Sequence, residues 1–244
     1  MLSVQQRFNH ASQTYDEVAT IQKMCARKLC EKIMMQCSHA SFSSVLDLGS
    51  GTGYMAEALL PYFPQSTFTL TDFAPNMLMR AEQKFRQSPN IRYQCADFAN
   101  DRFDFHQLTV SNLAFQWVDD LERVILKHFN NTQTLAFSCL LSGTFDEWHT
   151  VLRQYDERYL TRPYPTEDFL MMFLAQQLDA KVVTTSEDYD VSFPNAYSLI
   201  RYLKALGATK SDAAMSLPTI KKMIAHDLPI NMKYRVFYGV IQQW

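Results

Sequence analysis

The chain has 244 residues, is 47% hydrophobic and 20% charged, and carries a formal net charge of −2. That length admits one α/β domain with an insertion and a sizeable core, and the near-neutral balance points away from a nucleic-acid partner. No run of about 18 apolar residues offers a membrane span. The opening residues 1–7 lack the apolar stretch of a secretion signal. Cysteines 25, 30, 37, 95 and 139 form no Cys-x-x-Cys pair. Their odd number and scatter exclude a disulfide framework or zinc site and predict reduced thiols in the cytoplasm.

The first 40 residues are helical in character. Phe8, Ala11 and Tyr15 fall at i, i+3 and i+7, which predicts one shared helix face. A second helix is expected over Ile21 to Met35. Ser44 to Leu48 reads as a buried strand, and three of the six glycines follow in Asp47-Leu48-Gly49-Ser50-Gly51-Thr52-Gly53. A helix from Met55 to Leu60 comes next. A glycine turn between strand and helix lets a ligand approach bare backbone. The spacing is Gly-x-Gly-x-Gly with Tyr54 next, so the dinucleotide fingerprint Gly-x-Gly-x-x-Gly is not met. Further strands are expected over Thr67 to Thr71, Ile91 to Gln94, Phe105 to Val110 and Thr134 to Leu140, with a helix from Asn76 to Arg86 whose Met77, Leu78, Ala81 and Phe85 form an apolar stripe. This alternation predicts a parallel sheet with helices on both faces. Val182 to Val191 and Lys233 to Ile241 read as late strands at the far end of the sheet, the last antiparallel. The aromatic and charged stretch before Lys181, and an amphipathic helix from Asn195 to Leu206 ended by Gly207, read as a helical cover or lid.

An acid followed by this tight glycine spacing resembles the first motif of class I S-adenosylmethionine-dependent methyltransferases. In an open parallel sheet, ligands bind beyond the carboxyl ends of the strands. Those ends supply suitable partners in order. Asp72 can accept from two ribose hydroxyls, and Phe73 and Met77 follow it. Asp97 can accept from the adenine amino group while Phe98 packs on the ring. At Asn112 a backbone carbonyl or the side chain can receive the cofactor's ammonium. Asp47 adds negative charge near the ammonium and sulfonium. With Gly49, Gly51 and Gly53 these residues are the candidate cofactor site. Histidines 10, 39, 106, 128, 149 and 226 show no metal-ligand spacing and read as surface or structural. No metal is expected.

The segments Arg7-Phe8-Asn9-His10-Ala11-Ser12-Gln13-Thr14-Tyr15-Asp16 and Ser111-Asn112-Leu113-Ala114-Phe115-Gln116-Trp117 are similar to the opening helix and the region after the fourth strand in the biotin-pathway methyltransferases. Asp156-Glu157-Arg158 and Leu203 to Thr209 resemble the lid of that family. The resemblance implies a Rossmann-like class I methyltransferase sheet with N-terminal helices and a helical lid insertion. It divides a single domain, 1–244, into a helical segment (1–40), a cofactor-binding core (41–141), lid and late core elements (about 142–228) and a closing strand (229–244). It also implies methyl transfer from S-adenosylmethionine to the free carboxylate of a malonyl thioester on acyl carrier protein, early in biotin synthesis. Arg158 is then the candidate cation for the substrate carboxylate, and Tyr15 the residue that closes over the cofactor.

Seven Lys or Arg against two Asp give residues 194–244 a net of +5 on an otherwise acidic body. Acyl carrier proteins of this kind are acidic, so Arg201, Lys204, Lys210, Lys221 and Lys222 are the expected docking face. Two other readings remain open. One is a small-molecule methyltransferase of the same fold with a different acceptor. The other is a non-catalytic adenosylmethionine-binding regulatory subunit.

Overall fold

The computed structural model describes residues 3–38, 40–155, 164–207, 221 and 228–244. Short apolar runs bounded by turn residues become strands β1 (Ser44–Leu48), β2 (Thr67–Asp72), β3 (Ile91–Cys95), β4 (His106–Asn112) and β5 (Thr132–Leu140). Two longer strands follow, β6 (Ala180–Phe193) and β7 (Ile230–Gln243). They form one seven-stranded sheet in the order β3-β2-β1-β4-β5-β7-β6. The first five are parallel to one another, and β7 runs antiparallel between β5 and β6. The expected parallel sheet and the reversed closing strand are therefore both present.

Alternation along the strands feeds two cores. Val45 and Ala136 point into one; Leu46, Leu48, Leu135 and Phe137 point into the other. The first core is covered by α3 (Thr20–Gln36), α4 (Tyr54–Leu59), α5 (Pro75–Lys84), α7 (Asp146–Tyr155) and α9 (Ala196–Ala205). In α3 the buried residues Ile21, Cys25, Ala26, Leu29, Cys30 and Ile33 follow the helical period. The second core is covered by α6 (Leu121–Phe129) and α8 (Glu167–Gln177). Leu170, Phe173 and Leu174 of α8 are buried against the sheet, so this part of the expected lid is a helical layer of the sheet itself. No helix among the described residues is long and apolar enough to cross a membrane.

One expectation about the N-terminus is corrected. Phe8, Ala11 and Tyr15 do not share a helix face, because α1 (Val4–Ala11) ends before α2 (Tyr15–Val18) begins. Ser12 donates its hydroxyl to the Asn9 carbonyl and Thr14 to that of Ala11, so side chains take the place of the next helical turn. Helix α6, with Asp120 capping Arg123 N–H at 3.0 Å, is an element the sequence reading passed over.

The fold places the site through its strand order. From β1 the chain turns outward to β2 and β3, then crosses back to β4 on the other side. That reversal opens a crevice beyond the carboxyl ends of β1 and β4. Helix α1 lies across it, tied to the start of α5. Gln5 donates to the Phe73 carbonyl at 2.6 Å, and Asn76 donates twice to Asn9, from its backbone N–H to Oδ1 at 3.0 Å and from its amide to the carbonyl at 3.2 Å.

Candidate active site

The turn after β1 is pinned from both sides. Ser50 N–H donates to the Thr71 carbonyl at 2.8 Å, and Gly51 N–H donates to Asp72 Oδ2 at 2.9 Å. Thr52 donates to Asp16 Oδ1 at 2.5 Å, and Tyr54 reaches the same oxygen at 2.8 Å. The three glycines serve different ends. A Cβ on Gly51 would meet nothing within 4 Å, so this backbone faces open space. A Cβ on Gly49 would lie 2.5 Å from that of Ala114, and one on Gly53 would lie 2.5 Å from the Phe85 ring.

The open space is a cavity of about 310 Å³. Gly49, Gly51, Asp72, Phe73, Met77, Asp97, Phe98, Asn112 and Tyr15 all border it, so these sequence-predicted residues converge. Two others do not border it. Gly53 is a packing position, where glycine lets Phe85 close on the turn and caps α4 in the left-handed region at φ 88°. Asp47 lies beneath the turn, 1% exposed, and both its carboxyl oxygens lack a hydrogen-bond partner. Burial, with a smaller push from Asp72, raises its pKa to about 8. Asp72 is also raised, to about 6, by burial, against the lowering effect of the Ala74 and Gly51 N–H groups.

Two of the predicted residues are partly engaged by their own surroundings. The Asn112 side chain is already engaged: its amide donates to the Gln22 carbonyl at 3.0 Å and accepts from Ser138 at 2.8 Å. It braces β4 against α3 and β5, which leaves the backbone alternative for a ligand ammonium. Asp97 spends hydrogen bonds on its own loop, accepting from Ala99 N–H at 2.9 Å and the Asn100 amide at 2.8 Å. The loop so held carries Phe98, whose carbonyl receives Lys127 at 3.0 Å and His128 at 2.9 Å. His128 is buried, with its pKa lowered to about 4 by burial, so it is neutral and donates from Nε2.

The roof of the cavity went unnoticed in the sequence. Val4 and Phe8 of α1 and Trp117 border it, with Phe8 edge-on to Trp117 at 5.3 Å between ring centroids. Phe8 and Trp117 lay in family-like segments, and Phe8 also carried a helical-spacing signal, but nothing local says that α1 lies over the strand ends. Arg158, Lys210 and Lys222 lie outside the described residues. Lys221 is exposed. Arg201 and Lys204 are exposed on α9 and border a groove of about 900 Å³ shared with Arg7 and His10 of α1, with Glu17 also on its wall.

The cavity suits a cationic ligand with a flat ring. Asp72 and Asp97 border it, the uncompensated Asp47 carboxyl lies below, and Phe73, Phe98 and Met77 supply apolar walls. An orphaned buried carboxyl is costly unless a positive charge comes near it. Among the described residues no group of three or more His, Cys, Asp or Glu is placed to hold a metal ion.

Residues 45–132 match a family model described as a methyltransferase domain. The chain is 30% identical to the malonyl-(acyl-carrier protein) O-methyltransferase of Anoxybacillus flavithermus, over 92% of this chain and 87% of that one. The like-named proteins of Bacillus cereus (30%, 86% and 81%) and Neorickettsia risticii (29%, 97% and 94%) are similar over nearly the same extent. Among solved structures, YcgJ of Bacillus subtilis superposes with a TM-score of 0.61 at 16% identity, covering 89% of this chain and 99% of that one. The plantazolicin methyltransferase BpumL, solved in complex with SAH, superposes at 0.57 with 12% identity, covering 99% and 94%. The expected Rossmann-like methyltransferase sheet is therefore the fold of this chain.

Proposed function

The chain belongs to the malonyl-(acyl-carrier protein) O-methyltransferase family, and on that premise we propose that it methylates the free carboxylate of a malonyl thioester on acyl carrier protein, using S-adenosylmethionine, early in biotin synthesis. The observation that carries the cofactor half is the buried Asp47 carboxyl without a partner, beneath a turn whose Gly51 faces open space. The substrate half follows from family membership.

When bound, S-adenosylmethionine supplies a methyl on a cationic sulfur, so the new C–O bond forms from a carboxylate lone pair as C–S breaks with its electrons left on sulfur. The acceptor is ionised at neutral pH, so this chain needs no general base. Its residues bind and orient. Asp47, ionised once a cation is near, offsets the ligand's charge. Asp72 keeps one lone pair on each oxygen beyond its two backbone bonds, enough to accept from a diol. Phe73, Met77, Asp97 and Phe98 hold the ring, and Gly49, Gly51 and the Asn112 backbone hold the amino-acid end. Helix α1, with Phe8, covers the site and keeps water out. Burial raises the Tyr15 hydroxyl well above its usual range, so it stays protonated and can donate. Arg158 is retained as the substrate's cationic clamp.

We read the whole chain as one methyltransferase domain. Helix α3 contributes to the sheet's own core, and β6 and β7 extend the sheet. The carrier protein would dock on Arg201 and Lys204, with Lys210, Lys221 and Lys222 retained in the proposed docking set. A cytoplasmic setting is supported by all five cysteines being free. The experiment is mass spectrometry of malonyl carrier protein after incubation with enzyme and S-adenosylmethionine. A base-labile methyl ester on the malonyl group is expected. A methyl group elsewhere, or none, contradicts the proposal.

A further inference from the structure

Behind the cofactor cavity lies a second, smaller chamber of about 40 Å³. The two share four walls: Phe8, Tyr15, Leu113 and Trp117. Its other walls include Gln22 of α3, Leu140 at the end of β5, Phe145 after it, and Tyr234 of β7. Its size admits a group of a few atoms, such as a carboxylate. Nothing assigned to the cofactor occupies it.

Two independent features mark the chamber as more than a packing gap. The first is backbone strain. Leu113 (φ 49°) and Phe145 (φ 64°) are the two non-glycine residues in the left-handed region among the described residues, and both line this chamber. A bulky side chain in that conformation costs free energy and persists only where its surroundings hold it. Here they do. Leu113 N–H is held by the Ser138 carbonyl at 3.0 Å and hydroxyl at 3.1 Å, and Phe145 N–H by the Lys233 carbonyl at 3.0 Å. The strain turns both side chains onto one small volume.

The second feature is an unused amide. Gln22 Oε1 is buried and has no hydrogen-bond partner. Half a turn of the amide places its NH₂ in that position instead, and the oxygen and nitrogen ends are interchangeable in shape. A buried amide left unpaired is costly, and a ligand acceptor would recover that cost. Among the described residues no Lys or Arg lines the chamber. The side-chain donors that line it are neutral: the Gln22 and Gln116 amides and the Tyr15, Tyr164 and Tyr234 hydroxyls.

We infer that this chamber seats the carboxylate head of the acceptor, and that Gln22 is a specificity-determining residue that donates its amide N–H to a carboxylate oxygen. The inference rests on the reading above that the acceptor is a carboxylate. A neutral donor suits the reaction. It orients the oxygen alongside the proposed Arg158 cation without adding a second positive charge that would further lower its nucleophilicity. Phe8, Tyr15, Leu113 and Trp117 line both spaces, so a carboxylate seated in the chamber lies beside the cofactor cavity, and attack requires its oxygen to touch the methyl group directly.

The test is steady-state methylation of malonyl carrier protein by the wild type, Gln22→Leu and Gln22→Glu, with S-adenosylhomocysteine binding measured in parallel by calorimetry. Both substitutions keep the volume, and the hydrogen bond from Asn112 goes to the Gln22 backbone, so the fold survives. The expected result is a KM at least tenfold higher in Gln22→Leu and a larger loss in Gln22→Glu, whose added charge repels the acceptor. Activity of Gln22→Glu should recover as pH falls and that carboxyl takes a proton. Homocysteine-product binding should stay within about twofold of wild type. An active wild type with unchanged variants overturns the inference alone, as does weakened S-adenosylhomocysteine binding that accounts for the whole loss. A wild type that binds S-adenosylhomocysteine and methylates no malonyl thioester overturns the substrate reading and the inference with it.

Discussion

Asp16, at the start of α2, accepts the Thr52 hydroxyl at 2.5 Å and so ties the N-terminal helices to the middle of the glycine turn. Tyr54 donates to the same oxygen, and Lys84 lies 4.0 Å from the other. The covering segment and the cofactor-binding backbone are thus one hydrogen-bonded unit. Asp16→Ala removes the shared acceptor. Hydrogen bonds to a charged group contribute about 1.5–3 kcal/mol, and the exposure of Asp16 places this pair at the low end. Calorimetry should show S-adenosylhomocysteine binding weakened roughly tenfold, with thermal stability only slightly reduced. Unaltered affinity would mean that the turn holds its shape without α2.

Asp47 couples binding to pH. Its folded-state pKa of about 8 stands above the ordinary 3.8, so between these values the folded protein holds a proton that the unfolded chain has released. Stability of the ligand-free protein therefore falls as pH rises from about 4 to 8. Asp47→Asn removes that dependence. The variant should melt higher than wild type at pH 8, by a margin of about 1–3 kcal/mol, and bind S-adenosylhomocysteine at least tenfold more weakly. Parallel melting curves at pH 5 and pH 8 check the first half. A steeper loss in the variant would contradict it.

The glycines separate folding from binding. Gly53→Ala forces a methyl against Phe85 in the left-handed region and should cost about 2–4 kcal/mol of stability. Gly51→Ala meets no protein atom, so it should cost only the backbone strain of about 1–2 kcal/mol. It should nonetheless abolish measurable binding of S-adenosylhomocysteine, because its methyl enters the cavity. Melting and calorimetry on the pair decide the matter. Equal loss of stability in both would place Gly51 in packing rather than binding.

Arg201 and Lys204 are exposed beside Arg7 and His10, so reversing both charges should weaken docking of an acidic carrier and spare the chemistry. Arg201→Glu with Lys204→Glu should raise KM for malonyl carrier protein about tenfold at low salt and less at high salt. Turnover of a malonyl thioester of pantetheine, which carries neither an acidic protein nor a phosphate, should not change. A salt-independent effect, or one equal for both substrates, would place the carrier elsewhere.

What the sequence displayed was governed by local rules. Buried runs such as Val45 to Leu48, the glycine turn and the acids at strand ends each depend on neighbours in the chain. So do the boundaries of β1 and α3. Asp72, Phe73, Met77 and Phe98 were found because strand ends in a parallel sheet converge on one edge. What stayed hidden depends on contacts across the chain. Asp97 and Asn112 border the cavity, but their partners, Asn100 in one case and Gln22 and Ser138 in the other, decide what their side chains are free to do. The break after Ala11 arises from Ser12 and Thr14 turning back on the helix, a competition that helical spacing does not register. Phe8 and Gln22 belong to segments far from the glycine turn, and only packing brings them to the site.

The central claim, carboxylate methylation of a carrier-bound malonyl group, is tested most directly by the initial rate of transfer from methyl-labelled S-adenosylmethionine to malonyl carrier protein, with acetyl carrier protein alongside. The account predicts label on the malonyl form, released by mild base, and none on the acetyl form, which has no free carboxylate. Equal labelling of both, or no labelling of either by enzyme that binds S-adenosylhomocysteine, would contradict it.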